Sequence, residues 1–138
     1  SDTVLVKLEL RGAGGEIVSG NLYWLAAESA GYRELDRLPA ADVSASADSA
    51  RSGDTIHLRV HLKNDGIAAA LETKITILNA ADASRILPAY LSDNYVSLLP
   101  GESREIDVEY PAAAHGAAQV AIRGWNLASR TISVTAAK

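Results

Sequence analysis

The sequence predicts an all-β protein, an antiparallel β-sandwich of about seven short strands preceded by one β-hairpin. Two observations carry this prediction. Apolar and polar residues alternate in one short segment after another, with the period of two that a strand with one buried face requires. Clusters of Gly, Pro, Asn and Asp separate these segments, and none keeps a helical period of about 3.6 residues beyond two turns.

The first predicted element is a β-hairpin over residues 3–27. Residues 3–11 alternate, and one face of this strand consists of Val4, Val6, Leu8 and Leu10. The glycine-rich residues 12–15 are typical of a tight turn, and residues 16–27 return as the second strand. This second strand has apolar residues on both faces, so we expect it to be covered on two sides.

A polar linker is expected next, because residues 28–41 lose the alternation and contain Gly31 and Pro39. It has room for one helical turn around Tyr32. We therefore predict that residues 1–37 form a hairpin with its linker and that residues 38–138 form the β-sandwich domain. In the alternative organisation, all 138 residues form one sandwich into which the hairpin packs.

The middle of the chain alternates most clearly. Residues 43–48 predict a weak strand of small residues at a sheet edge. In the next strand Ile56, Leu58, Val60 and Leu62 point inward, while His57, Arg59, His61 and Lys63 point outward. Residues 71–78 repeat this pattern with Thr73, Ile75 and Ile77 inward. Residues 86–90 predict a short strand that is broken at Pro88 and suits a sheet edge, because proline cannot donate a hydrogen bond to a ladder.

A corner follows at residues 92–103, with the sequence SDNYVSLLPGES. Pro100 presets φ near −65° and Gly101 accepts a positive φ, so this pair suits the centre of a type II turn. After the turn, Ile106, Val108 and Tyr110 alternate with acidic residues. Further strands are predicted at 116–125 and 131–135, and together these short strands describe an immunoglobulin-like sandwich.

The same corner resembles the C-terminal β-sandwich domain of glycoside hydrolase family 2 enzymes, of the exo-β-glucosaminidase and β-mannosidase type. The resembling residues are SDNYVSLLPGES at 92–103, RGWN at 123–126 and NLYWL at 21–25. The resemblance covers most of the chain. It implies an immunoglobulin-like domain without catalytic residues, preceded by a sandwich domain to which the hairpin supplies the closing strands.

Composition excludes several classes of function. The 13 Lys and Arg residues form no cluster and the net charge is −4, which argues against a nucleic-acid partner. No apolar run approaches the roughly 18 residues of a membrane span, so no membrane partner is expected. Cys is absent, which excludes disulfides and thiolate metal sites, and no cofactor motif occurs. Met is also absent, so we expect this chain to be a piece of a longer one.

The titratable residues predict no catalytic or metal site. His57 and His61 share a strand face, but their Cα atoms would lie about 13 Å apart, too far for one metal ion. His115 lies in a loop sequence without an acidic neighbour. The carboxylates Glu105, Asp107 and Glu109 share the solvent face of their strand, which indicates a solubilising surface. The Asn-Glu dipeptide that carries the acid/base residue of the resembled enzymes does not occur.

The candidate contact residues are Trp24, Asp93, Asn94, Tyr95 and Trp125. We expect them at an interface with other domains or, less favoured, in contact with a sugar ring. Strict alternation places Trp125 on the face opposite Ile122, so it lies at a domain junction, on a surface platform, or beyond a bulge that turns it inward. Either Tyr95 or Tyr110 is expected to place its hydroxyl on a nearby backbone carbonyl, as a tyrosine corner does.

The predicted function is that of a non-catalytic structural module of a multidomain glycoside hydrolase acting on β-mannosides or β-glucosaminides, with the parent's other domains as partners. The alternative is a free-standing β-sandwich that binds an oligosaccharide or a protein. Degradation of polysaccharides suggests a periplasmic or secreted protein.

Overall fold

The computed structural model describes residues 3–112 and 116–137, which belong to two compact units, Ser1–Leu38 and Pro39–Lys138. No helix in the described part of the chain has both the length and the apolar character needed to cross a membrane.

The N-terminal unit is a β-hairpin followed by a 3₁₀ helix. Strands β1 (Thr3–Arg11) and β2 (Ile17–Ala26) pair antiparallel, which confirms both predicted strands. The 3₁₀ helix spans Ser29–Arg37, so the predicted linker contains more helix than the single expected turn. Two side chains attach this helix to the hairpin: the Thr3 hydroxyl donates to the Gly31 carbonyl at 2.7 Å, and the Tyr32 hydroxyl donates to the Trp24 carbonyl at 3.1 Å.

The C-terminal unit contains two β-sheets. The four-stranded sheet has the strand order β10-β9-β5-β7, and the five-stranded sheet has the order β11-β3-β4-β8-β6. Every pairing is antiparallel except that of β11 with β3. The strands are β3 (Val43–Ser52), β4 (Thr55–Asn64), β5 (Ala70–Asn79), β6 (Tyr90–Leu91), β7 (Val96–Leu98), β8 (Ser103–Pro111), β9 (Ala118–Arg123), β10 (Arg130–Ser133) and β11 (Thr135–Ala136).

One apolar core joins the two sheets. The inward residues of β4 and β8 meet those of β5 and β9, as the alternating pattern predicted, and burial of each large aliphatic side chain contributes about 1.5–3 kcal/mol. The largest fully buried side chains are Leu58, Leu62, Leu71, Ile75, Ile86, Leu98, Ile106, Ile122, Val43, Val60, Val108 and Val120. The predicted two-layer, all-β architecture is therefore confirmed.

The predicted break at Pro88 is present, but of the strand predicted over residues 86–90 only Tyr90 is in a strand, at the start of β6. Arg85 forms only an isolated bridge with Leu78, and pairing resumes in the two-residue strand β6 at Tyr90. Pro88 lies between these two points and follows a cis peptide bond. Because proline has no N–H to donate, a ladder cannot run through it.

The predicted type II turn is present between β7 and β8. Gly101 has φ +80°, and the Glu102 N–H donates to the Leu99 carbonyl at 3.0 Å. The Glu102 carboxylate also accepts the Leu99 N–H at 2.8 Å. Since β7 belongs to the four-stranded sheet and β8 to the five-stranded sheet, this turn carries the chain from one layer to the other.

Three asparagine side chains complete the hydrogen bonding around β5, whose pairing with β7 is interrupted between Ala70 and Thr73. Asn126 accepts the Leu71 N–H at 3.1 Å and donates to the Ala69 carbonyl at 2.8 Å. Asn94 accepts the Ile75 N–H at 2.9 Å and donates to its carbonyl at 3.1 Å.

Asn64 is the most buried of the three, with a relative exposure of 0%. Its amide nitrogen donates to the carbonyls of Ala68 and Leu98 at 2.8 and 2.9 Å, and its oxygen accepts the Gly66 N–H at 3.1 Å. This side chain links the end of β4 to the strand β7 of the other sheet. The sequence pattern around Asn64 predicted only a turn.

We predict that Asn64→Asp lowers the free energy of unfolding by about 3 kcal/mol or more, because a carboxylate would face two buried carbonyls without a donor. Urea unfolding at neutral pH measures this loss. Asn79→Asp is the matched control: Asn79 uses only its oxygen, to accept the Ala81 N–H at 3.0 Å, and Asp keeps that acceptor. Equal losses in the two variants would contradict the proposed role of the Asn64 amide.

Candidate functional site

The predicted contact residues lie in three places. Trp24 lies on β2 of the N-terminal unit, Asp93 to Tyr95 form the loop between β6 and β7, and Trp125 follows the end of β9. Within the C-terminal unit, the structure brings Tyr95 next to Lys74 and Arg123, two residues that the sequence analysis did not select.

The loop of Asp93 and Asn94 is held by its own side chains. The Asp93 carboxylate accepts the Asn94 N–H at 2.8 Å and lies 3.9 Å from the Arg104 guanidinium. The Asn94 side-chain oxygen accepts the Tyr95 N–H at 3.0 Å in addition to its bond from Ile75. Such Asx hydrogen bonds support the chain reversal, so these two residues position the loop.

Tyr95 occupies the left-handed region with φ +56°, which is uncommon for a bulky residue. Its side chain points outward and is half-exposed, so it is not a tyrosine corner. The Lys74 ammonium lies 4.9 Å from the centre of its ring, within the range of a cation–π contact. Hydrogen bonding to Lys74, together with the charges of Lys74 and Arg123, holds the pKa of the Tyr95 phenol below its usual value.

The register of the four-stranded sheet explains why Lys74 and Arg123 share a surface. The two residues are direct partners in the antiparallel pairing of β5 with β9, and both side chains occupy outward positions. Their distance along the sequence conceals this pairing. The only sequence signal was the alternation, since Lys74 lies between Thr73 and Ile75 and Arg123 follows Ile122.

Trp125 continues the line of β9 and is 53% exposed. Its N–H donates to the Leu71 carbonyl at 2.9 Å, so the chain still pairs with β5 at this point. A Cβ atom at Gly124 would lie 2.9 Å from that same carbonyl, which explains why the position requires glycine. This placement excludes the expected bulge that would turn Trp125 into the core.

Trp24 is half-buried and pairs with Leu5 across the hairpin. Its carbonyl is the acceptor for the Tyr32 hydroxyl described above. The tryptophan therefore belongs to the surface of the N-terminal unit that carries the 3₁₀ helix.

The outer face of the five-stranded sheet carries alternating charges across its ladder. His57 lies 3.2 Å from Glu109, and Arg59 lies 3.3 Å from Glu105 and 3.5 Å from Asp107. These side chains are at least half exposed, as the alternation predicted. Within residues 3–112 and 116–137, no group of three or more His, Cys, Asp or Glu could hold a metal ion. His115 lies outside the described residues.

Comparison with protein families places residues 21–127 in the family described as the exo-β-D-glucosaminidase Ig-fold domain. Two curated relatives are exo-β-D-glucosaminidases, one from Streptomyces avermitilis and one from Amycolatopsis orientalis, and each is 29% identical over 96% of this chain. A third, the mannosylglycoprotein endo-β-mannosidase of Lilium longiflorum, is 39% identical over 41% of the chain.

A solved structure shows the same similarity to enzymes of this type. The crystal structure of the exo-chitosanase from Amycolatopsis orientalis superposes with a TM-score of 0.87 at 29% identity, over 96% of this chain. The match takes up 18% of that structure, and the chain spans 17% of the Streptomyces relative. The predicted immunoglobulin-like fold is thereby confirmed, and so is the resemblance to exo-β-glucosaminidases.

We predict that the Tyr95 phenol ionises at a lower pH than the Tyr110 phenol, because two neighbouring cations favour the anionic form of Tyr95, whereas burial raises the pKa of Tyr110. A depressed pKa in the folded state adds stability that develops as the pH rises past the folded pKa and is complete above the unfolded pKa, so it has no effect at neutral pH. Ultraviolet titration of tyrosinate, with Tyr95→Phe to assign the signal, measures this order.

In the same titration, Lys74→Gln should move the pKa of Tyr95 upward, whereas Lys63→Gln should leave it unchanged. Lys63 provides the matched control because it pairs with Asp65 at 2.5 Å on the other sheet. An unchanged pKa in Lys74→Gln would contradict the contact between Lys74 and Tyr95.

Proposed function

We propose that this chain, which belongs to the family of exo-β-D-glucosaminidase Ig-fold domains, is a non-catalytic module of a multidomain glycoside hydrolase. Its role is structural: it packs against the other domains and helps hold the rim of the catalytic domain. The supporting observation is the full-length match to a domain that makes up about one sixth of its relatives.

The chemistry of the described residues agrees with a non-catalytic role. Glycosidases place two carboxyl groups about 5–9 Å apart on either side of the scissile bond. Here the carboxylates Glu105, Asp107 and Glu109 point into solvent from a flat sheet face and pair with Arg59 and His57. A (β/α)₈ barrel that encloses such a site needs about 250 residues, more than this chain has.

For the parent enzyme we propose a β-glucosaminide as substrate. The support comes from the relatives named as exo-β-D-glucosaminidases and from the one named exo-chitosanase, which outnumber the one named as a mannosidase. Chitosan is a polymer too large to cross a membrane intact. We therefore also propose that the parent works in the periplasm or outside the cell.

The N-terminal hairpin, with residues 1–37, is proposed to be the end of a preceding domain. One of its faces is apolar and exposed: Val4, Leu8, Leu10, Tyr23 and Leu25 are 46–63% exposed. Monomeric proteins rarely expose contiguous apolar surface of this kind. The two-sided cover expected for β2 would then come from strands that precede this chain.

The first test measures turnover of nitrophenyl β-glucosaminide and nitrophenyl β-mannoside. We expect no hydrolysis by the chain above the rate in buffer, and hydrolysis of the glucosaminide by a protein that includes the preceding domains. Turnover by the chain itself, retained after affinity and size-exclusion purification, would overturn the proposal.

A second test concerns the domain boundary. Residues 39–138 contain the whole two-sheet core, so this fragment should unfold cooperatively, with a free energy of unfolding within about 1 kcal/mol of that of the complete chain. Residues 1–38 alone should be unfolded, because a two-stranded hairpin is marginal in water. A fragment 39–138 without near-ultraviolet circular dichroism would instead favour the single sandwich of 138 residues.

A further inference from the structure

The outer face of the four-stranded sheet bears positive charge on a chain whose net charge is −4. Lys74 and Arg123 lie side by side there, and within the described residues neither forms an ion pair with a carboxylate. Cations of the five-stranded sheet differ in this respect: Arg59 and Lys63 each have a carboxylate oxygen within 3.5 Å. Glu72, two positions before Lys74 on β5, forms no ion pair with it.

The two cations and Tyr95 form what we call the cationic face, and its geometry is held in place by the backbone. The Asn94 side chain accepts the Ile75 N–H and donates to the Ile75 carbonyl, directly beside Lys74. Its oxygen also accepts the Tyr95 N–H. Tyr95 then lies in the left-handed region with its ring against the Lys74 ammonium. A bulky residue keeps this conformation only where its surroundings impose it, and such outliers cluster at binding sites.

A shallow depression of about 300 Å³ adjoins the cationic face. Ala121 forms its floor, because its partners in the ladder, Thr76 on β5 and Thr131 on β10, have longer side chains. Arg123, Arg130 and Ser129 also line the depression. The depression thus offers hydrogen-bonding groups next to a guanidinium.

We infer that the cationic face binds a carboxylate-bearing segment of the parent hydrolase that lies outside these 138 residues. This inference rests on the proposed function, and it names the partner of one surface of the module. The Arg123 guanidinium and the Lys74 ammonium both suit a carboxylate partner. The guanidinium can donate two parallel hydrogen bonds to the two oxygens of one carboxylate. The relatives are about six times as long as this chain, so ample sequence exists to supply that segment.

The positive charge of the cationic face favours a carboxylate partner over an amino-sugar substrate. The ligand named in one related structure is a β-D-glucosamine derivative, whose amine becomes cationic when it is protonated. Lys74 and Arg123 would repel such a group. The Lys74 ammonium lies 4.9 Å from the centre of the half-exposed Tyr95 ring, so a sugar stacking on that face would have to displace it.

The experiment uses the parent enzyme and the zero-length coupling of amines to carboxylates by a carbodiimide. This reagent joins an amine and a carboxylate in direct contact as an amide, with loss of water, and peptide mass spectrometry locates the bond. We expect Lys74 to be coupled to an Asp or Glu outside residues 1–138. Coupling only to Glu72 or to another acid of this chain, or no coupling of Lys74, would overturn the inference.

Charge reversal provides an independent measurement. The double variant Lys74→Glu/Arg123→Glu should lower the melting temperature of the parent by about 3 °C or more and leave that of the isolated chain within about 1 °C. Arg51→Glu is the matched control, since Arg51 is exposed at the far end of β3 and makes only local contacts, a 2.8 Å hydrogen bond to the Gly53 carbonyl and a 3.8 Å contact with Asp54. Equal melting temperatures of the double variant and the control in the parent would overturn the inference.

Sugar binding is tested in the same proteins. Saturable quenching of tryptophan fluorescence by chitosan oligosaccharides that is lost in Tyr95→Ala would also overturn the inference, in favour of a sugar site. The two proposals fail separately: turnover by the isolated chain rejects the non-catalytic role, whereas an active parent with uncoupled Lys74 rejects only the docking surface.

Discussion

Satisfying the backbone of the buried strand β5 is the constraint on which the sandwich depends. This strand lies inside the four-stranded sheet, yet its pairing with β7 is interrupted between Ala70 and Thr73. Buried N–H and C=O groups that find no partner cost free energy comparable to a lost hydrogen bond. Asn94 supplies both partners for Ile75, and Asn126 accepts the Leu71 N–H, because an amide offers both a donor and an acceptor. The Ser97 hydroxyl accepts the Glu72 N–H within the interruption itself. Asn64 donates to carbonyls just outside β5, those of Ala68 and Leu98.

The same hydrogen bonds shape the surface above β5. Asn94 replaces a neighbouring strand beside Ile75 and, in doing so, holds Tyr95 in its left-handed conformation against Lys74. Asn126 fixes the start of β5 and thereby the chain that carries Trp125. The hydrogen bonds that satisfy the backbone of β5 therefore also fix the positions of cations and aromatic residues on the outer surface.

The charged side chains on the two outer faces of the sandwich differ in their ion pairing. On the five-stranded sheet, acids and bases alternate across the ladder and neutralise each other around Arg59, as expected of a solvated surface. On the four-stranded sheet, Lys74 and Arg123 stand together. This asymmetry, together with the exposed apolar face of the hairpin, suits a module that has neighbours on some of its sides and solvent on others.

The sequence by itself determined the layers, because period-two alternation decides which side chains are buried: Ile106 and Val108 point inward as predicted, and the Pro100–Gly101 turn has the expected type. It also selected Tyr95 and Trp125 as candidate contact residues, without deciding which way their side chains point. Only the tertiary structure decided which strands pair, and hence that Lys74 meets Arg123 and that Asn64 spans the sheets. Register joins residues distant in the chain, and local patterns contain no information about such partners.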